Sequence, residues 1–212
     1  MGVSGVVAQR RGRVTESTSD EILMAAYQAG NQDAFGELFD RYAGRVYGFL
    51  IRRLGDAATA EDLHQEAFLR LHRARDSYNP ERPFRAWLFA IVHNLVNDSL
   101  RSRRRAPVTE PLGTTSSPHP AVQTDRAGSI NDQSPERIVA ARESTRALSR
   151  ALSALPANEA TVLILARFEG LSYDDIGSVI GRSAAAAKQL AYRALKRVRS
   201  ELVAMGHGEM SR

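Results

Sequence analysis

The sequence predicts an all-α protein built as two small helical domains joined by a flexible linker. Three observations carry that reading. Apolar residues recur at three- and four-residue steps through residues 19–105 and again through 136–205. Ser, Asp, Asn and Gly stand where helices would be capped and stopped. Between the two periodic stretches, residues 106–135 turn to Pro, Ser, Thr and Gly, with prolines at 107, 111, 118, 120 and 135. So little apolar surface cannot offset the entropy of ordering, and the prolines keep such a chain extended.

Taken in order, residues 1–18 lack periodicity and read as a tail. Ser19 and Asp20 can cap a helix over Glu21–Ala29, which Gly30 and Asn31 stop. A second helix over Asp33–Leu54 carries Phe35, Leu38, Phe39, Tyr42, Val46, Phe49 and Leu50 at three- and four-residue steps, and Gly55 ends it. A third, Ala58–Arg73, places Leu63, Ala67, Leu71 and Ala74 on one face with Phe68 beside it. Asp76–Pro83 holds two prolines and reads as a loop. In the fourth helix, Phe84–Arg104, the residues Phe84, Trp87, Leu88, Ile91 and Leu95 form an apolar stripe. Ala86, Ala90, His93, Asn97 and Arg101 make the opposite track, with Asn94 at its border; this track is expected to be exposed.

Beyond the linker, helix is expected over Glu136–Leu155, broken by Pro156, then over Ala157–Glu169, Tyr173–Ile180 and Ala184–Ala204. Ser172 with Asp175 has capping-box spacing, Gly181 supplies a turn, and Ser183 can cap the last helix. That layout is a helix-turn-helix, whose second member enters a major groove in the DNA-binding form. The inner face of the last helix is expected to hold Ala187, Ala191, Ala194, Leu195, Val198 and Leu202, leaving Gln189, Tyr192, Arg193 and Lys196 outward. Residues 206–212 read as a second tail.

Charge is unevenly spread. The 212 residues carry 29 Lys plus Arg against 24 Asp plus Glu, a formal net charge of +5. Four of the five residues from Arg101 to Arg105 are Arg, and Arg182–Arg199 holds six basic residues and no acid. Such patches suit phosphate backbones. With no Cys there is no disulfide framework, thiolate zinc site or iron–sulfur cluster, and a reducing, cytoplasmic setting is the simplest home. The apolar runs are too short to span a bilayer, so no membrane insertion is expected. No phosphate-binding glycine loop, nucleophile elbow or metalloprotease motif occurs. His64 and His72, eight residues apart on one helix, are separated by roughly 12 Å and too far apart to share a metal. No catalytic residue, metal or cofactor is expected. From the residues alone a free-standing DNA-binding repressor or activator competes with a nucleic-acid enzyme, the latter disfavoured by the missing ligands.

The runs Ala60-Glu-Asp-Leu-His-Gln-Glu-Ala-Phe-Leu-Arg-Leu71, Pro83-Phe-Arg-Ala-Trp-Leu88 and Ile91-Val-His-Asn94 resemble conserved region two of bacterial RNA polymerase sigma factors of the sigma-70 family, extracytoplasmic-function group. Leu155-Pro156 and Phe168-Glu-Gly-Leu-Ser-Tyr-Asp-Asp-Ile176 resemble region four of the same group, in the same chain order. The resemblance implies a non-enzymatic protein that binds core RNA polymerase, directs it to promoter DNA and assists opening, often under an anti-sigma factor. It implies that Asp62, Gln65, Glu66 and Leu69 meet the clamp of the largest subunit, and that the flap of the second-largest subunit is a further contact. It assigns the downstream promoter element to the loop and fourth helix: Tyr78, Asn79, Phe84 and Trp87 as a pocket for an unstacked base, Asn94 and Asn97 for base edges or sugar, and Arg101, Arg103 and Arg104 for phosphates. Phe84 and Trp87 also belong to the apolar stripe, so a core role competes. Lys188, Gln189, Tyr192, Arg193 and Lys196 fall at the positions that read the upstream element. The helix that carries them departs from the family pattern by opening with four alanines, Ala184–Ala187, and by carrying Leu190 where Arg is frequent.

Overall fold

The computed structural model describes residues 18–105, 147–148 and 150–205, with the side chain of Arg104 outside that set. The expected linker, residues 1–17 of the first tail, the second tail and most of the helix expected over Glu136–Leu155 lie outside the described residues. Every regular element among those described is helical.

The first domain is a four-helix bundle. Helix α1 (Asp20–Gln28) is capped by Ser19, whose hydroxyl accepts from the Ile22 N–H. Helix α2 (Gln32–Leu54) is capped by Asn31 and closed by Gly55 at φ 70°, a left-handed conformation that favours glycine. Helix α3 (Ala57–Ala74) is capped by Asp56, whose carboxyl is held below the usual range chiefly by the hydrogen bond from the Thr59 side chain. A 3₁₀ turn at Arg75–Ser77 leads into the loop, and α4 (Phe84–Arg105) completes the bundle. The core is aromatic: Tyr42 meets Phe84 edge-on at 5.2 Å between ring centroids and Phe49 lies 5.6 Å from Phe89, while Phe39, 37% exposed, lies at the edge of the core 4.7 Å from Phe68.

In the second domain α5 spans Ala157–Ile164, α6 Tyr173–Ile180 and α7 Ala184–Ala204. The helix expected over Ala157–Glu169 is not uniform. From Leu165 to Glu169 it widens into a π-helical turn, closed by the Gly170 N–H on the Leu165 carbonyl with Gly170 at φ 63°. Ser172 caps α6 through the Asp175 N–H at 3.1 Å, but its hydroxyl donates to the Asp175 carboxylate at 2.7 Å, so the box is closed side chain to side chain. Gly177 admits the turn itself: a Cβ there would lie 2.7 Å from the Arg182 carbonyl oxygen and 3.1 Å from the Ala184 nitrogen. A buried acid, Glu159, ties α5 to α7 through Arg197 at 3.1 Å.

Two expectations about faces are corrected. Leu195 is 56% exposed, because Ala187, Ala191, Ala194 and Val198 already fill the inner face of α7. On α4, Phe84, Leu88 and Leu95 are buried, while Trp87 and Ile91 stand only half-covered at the edge of the stripe. The larger departure is on the opposite side. Ala86 and His93, expected on an exposed track, are buried beneath the second domain, whose α6 packs along α4. Small side chains at positions 86 and 90 let the two helix backbones approach.

Candidate functional site

Three surfaces carry the chemistry. The first is the outer face of α3. Asp62 and Gln65 are exposed, Glu66 is half-exposed, and Leu69 presents an apolar side chain 49% open to solvent among them. Glu66 pairs with Arg70 at 3.0 Å and with Arg73 at 3.6 Å. The four expected residues therefore share one side of a rigid helix, an acidic rim around a leucine, which fits a basic surface with an apolar notch.

The second surface is the loop between α3 and α4 with the helix that follows. The loop is fastened from behind. Gln28 on α1 donates its Nε2 to the carbonyls of Arg75 (2.8 Å) and Tyr78 (3.0 Å). Glu21 accepts from the Phe84 N–H at 3.0 Å, capping α4 from a neighbouring helix. Asn79 is exposed and makes an Asx turn with the Glu81 N–H at 2.9 Å. Tyr78 is nearly enclosed: its hydroxyl donates to the Arg82 carbonyl at 2.6 Å, its ring lies 5.0 Å from that of Trp87, and burial pushes its pKa up to about 12. Phe84 is fully buried. As a direct base contact it is therefore corrected; it floors the site by packing under Tyr78, Trp87 and Tyr42.

Along α4, Asn94 is exposed, whereas Asn97 donates to His93 Nε2 at 2.9 Å and His93 Nδ1 meets the Thr161 hydroxyl at 3.1 Å. Arg101 is open to solvent, with Asp98 4.0 Å away, and Arg103 reaches Asp56 at 3.4 Å and the Thr59 hydroxyl. The Arg104 side chain lies outside the described residues.

The third surface is α7. Lys188, Gln189, Tyr192, Arg193 and Lys196 are all exposed, Tyr192 at 70%, on the side away from the alanine seam. Ser183 caps the helix through the Ala186 N–H at 3.2 Å, so this face projects from a fixed start. The first turn, Ala184–Ala187, offers no side-chain donor or acceptor.

Comparison with known proteins settles the family. Residues 38–106 match the model for sigma-70 region 2, and residues 145–198 match that for sigma-70 region 4. The chain is similar to RNA polymerase sigma factor CarQ of Myxococcus xanthus, 34% identical over 84% of this chain and 95% of the relative. It is also similar to ECF RNA polymerase sigma factor SigW of Bacillus subtilis, 30% identical over 82% of this chain and 91% of the relative. This chain is an extracytoplasmic-function sigma factor of the sigma-70 family. Among solved structures it is similar to CnrH in complex with the cytosolic domain of CnrY, with a TM-score of 0.62 and 26% identity, over 88% of this chain and 99% of that one.

Sigma factors are transcription initiation factors, and this one is built as its region 2 and region 4 matches require. The region 2 match runs from within α2 to the end of α4, and so takes in the α3 face and the loop; the region 4 match takes in the helix-turn-helix. Among the described residues no cluster of His, Asp and Glu is placed to hold a metal, and no helix is long and apolar enough to cross a membrane. His64 is spent inside: its Nε2 bonds the Ala43 carbonyl at 3.0 Å among Phe39, Tyr47 and Phe68, and burial lowers its pKa. Sequence reasoning missed Gln28 and Glu21, because a polar residue on α1 gives no sign of which distant backbone groups it will satisfy. It also missed Glu169 of the second domain, a buried residue whose carboxylate accepts from Arg45 and whose backbone carbonyl accepts from Arg85, both of the first domain.

Proposed function

We propose that this sigma factor binds core RNA polymerase through the α3 face and directs it to promoters whose upstream and downstream elements are read by α7 and by the loop–α4 surface. The carrying observation is the presence in one chain of an exposed acidic face with Leu69 at its centre and an exposed basic, aromatic face on a helix-turn-helix. An operator-binding repressor needs only the second.

Asp62, Gln65, Glu66 and Leu69 meet the clamp, and the second domain meets the flap. At the downstream element, Asn79 and the half-exposed Trp87 contact the captured base over a floor of Tyr78 and Phe84. Aromatic contact at that site repays about 1–3 kcal/mol of the unstacking cost. Asn94 and Asn97 reach base edges or sugar, and Arg101, Arg103 and Arg104 hold phosphates. Upstream, Lys188, Gln189, Tyr192, Arg193 and Lys196 enter the major groove. The alanine-rich first turn supplies no base-reading donor, so readout there leans on shape and phosphate contacts. Residues 19–105 and 136–205 act as the two working units, with 106–135 as the tether and 1–18 and 206–212 as tails, in the cytoplasm where core polymerase works. An anti-sigma factor as further partner is supported by the similar protein CnrH, solved with the cytosolic domain of CnrY.

The test is reconstituted transcription. Purified chain added to core polymerase should start defined transcripts from genomic fragments, and Leu69→Asp should abolish both core binding and transcription. Tight sequence-specific duplex binding without core, together with no transcripts in its presence, would instead establish a free-standing regulator.

A further inference from the structure

A cavity of about 330 Å³ lies between the two domains, lined by neither the α3–α4 loop nor α7. Its walls are the end of α2, the second half of α4 and the start of α5 with the residues just before it. That volume is at the small end of the range for ligand sites, roughly 300–1,000 Å³, and gives room for one nucleotide-sized molecule.

The lining is basic. Arg53 from α2 and Arg101 from α4 both contribute, and no Asp or Glu is among the described residues that do. By contrast, the cavity beside Pro83 is lined by Asp20, Glu21 and Asp175 together with Arg85. Arg53 is 4% exposed, so water screens its charge little. Arg101 is open to solvent, and its 4.0 Å contact with Asp98 leaves further donors for a ligand. Burial first, and then these same two charges, lower the pKa of His93, so both arginine fields converge on the flank of α4 beside the cavity.

Helix α5 adds its N-terminus. Ala157 and Asn158 line the cavity, Pro156 at the cap position makes no side-chain capping bond, and the Ala160 N–H bonds the Pro156 carbonyl. Such a helix end holds an anion weakly by itself. Two guanidinium groups on the same cavity supply charge-assisted, directional bonds of the kind that phosphate oxygens accept. Leu54 and Leu100 provide an apolar wall beside them.

We propose that this cavity binds a small phosphate ester, with a free mononucleotide as occupant: the phosphate sits between Arg53, Arg101 and the first turn of α5, and the base lies against Leu54 and Leu100. Asn97 and Asn158 bring amide groups for the phosphate or the sugar. The site needs neither polymerase nor promoter. Arg101 and Asn97 also belong to the α4 surface proposed for DNA, so a free nucleotide and a strand must be tested side by side.

Calorimetric titration of the full chain with AMP and with GMP should show one site with a Kd below about 1 mM, at least about tenfold tighter than inorganic phosphate, and adenosine should not bind. Asn158→Asp places a carboxylate in the cavity, at a helix start where an acid is favourable, so the urea midpoint should hold or rise while nucleotide affinity falls at least about tenfold. Ser153→Glu, at an exposed lining position, should lower affinity in the same way. Gln32→Glu makes the same charge change as these at the far end of α2, roughly 30 Å from Leu54, and should leave affinity within about twofold. No binding of either nucleotide overturns the proposal. Equal losses in Gln32→Glu and Asn158→Asp reduce the binding to general charge attraction and overturn the site. Inorganic phosphate binding as tightly as AMP overturns the nucleotide as occupant. A single-stranded DNA oligonucleotide whose binding is lost in Asn158→Asp, with no binding of AMP or GMP, makes the cavity part of a strand path and overturns the free ligand. Transcription with core polymerase is read separately and depends on none of these results.

Discussion

Acidification should loosen the protein through His93, and the size of the effect follows from its surroundings. The ring is buried, with Nε2 accepting from Asn97 and Nδ1 facing the Thr161 hydroxyl, an arrangement that fits the neutral imidazole with its proton on Nδ1. Burial first, then the charges of Arg53 and Arg101, push its pKa down to about 4 from 6.5. A depressed pKa in the folded state means that the unfolded chain takes up the proton first as pH falls. The stability tied to neutral His93 is therefore complete above about pH 6.5 and is lost progressively as pH falls from there through about 4. Linkage between those two values gives a loss of about 2 kcal/mol at pH 5 and about 3 kcal/mol at the low-pH plateau. The assay is urea unfolding followed by the fluorescence of Trp87, the single tryptophan, at pH 7.5 and pH 5. Comparison with His93→Gln, which keeps hydrogen-bonding capacity but does not titrate, cancels the carboxylates common to both. The wild type should lose about 2 kcal/mol more than His93→Gln over that interval. Equal losses in the two proteins, or a ring that titrates near 6.5 by nuclear magnetic resonance, would refute the reasoning.

Three further outcomes are expected. Gly177→Ala forces a methyl group against the Arg182 carbonyl and the Ala184 nitrogen, so it should cost about 1–3 kcal/mol in the second domain, seen as a lower urea midpoint for loss of its helical circular dichroism. Gln28→Ala removes both side-chain bonds to the loop carbonyls; with core polymerase it should slow promoter opening, read by permanganate reactivity of unpaired thymines, while duplex binding by the helix-turn-helix stays unchanged. Arg193→Ala should weaken upstream-element binding more than Gln189→Ala and reduce the salt slope by about one, measured by fluorescence anisotropy across a salt series; equal, negligible losses would show that the exposed face of α7 is not the reading face.

Local chemistry was readable where a residue acts on its own neighbours. Ser19, Ser172 and Ser183 cap the helices they precede, and Gly55 and Gly181 close the ones before them with left-handed backbones. On α3, Asp62, Gln65 and Leu69, named through the family resemblance, are exposed and Glu66 is half-exposed. The α4 track was misread. Ala86, Ala90 and His93 are small or polar, which is equally consistent with a solvated surface and with a seam where another helix must come close. Leu195 failed for a related reason: a helix whose inner face is filled by alanines has no room for a leucine beside them. The π-helical turn left no mark in a run that reads as plain helix.

By itself, then, the order of residues determined the helices, their ends, the division into two bodies and the sigma-70 family, because caps, periodicity and family motifs depend on neighbours along the chain. Only the tertiary structure decided that Phe84 is fully buried, that Gln28 and Glu21 bond the loop and the start of α4, and that Glu169 reaches 124 residues back to Arg45. Such pairings depend on what lies opposite a side chain after packing, and a one-dimensional pattern gives the direction a group faces without naming what it will meet.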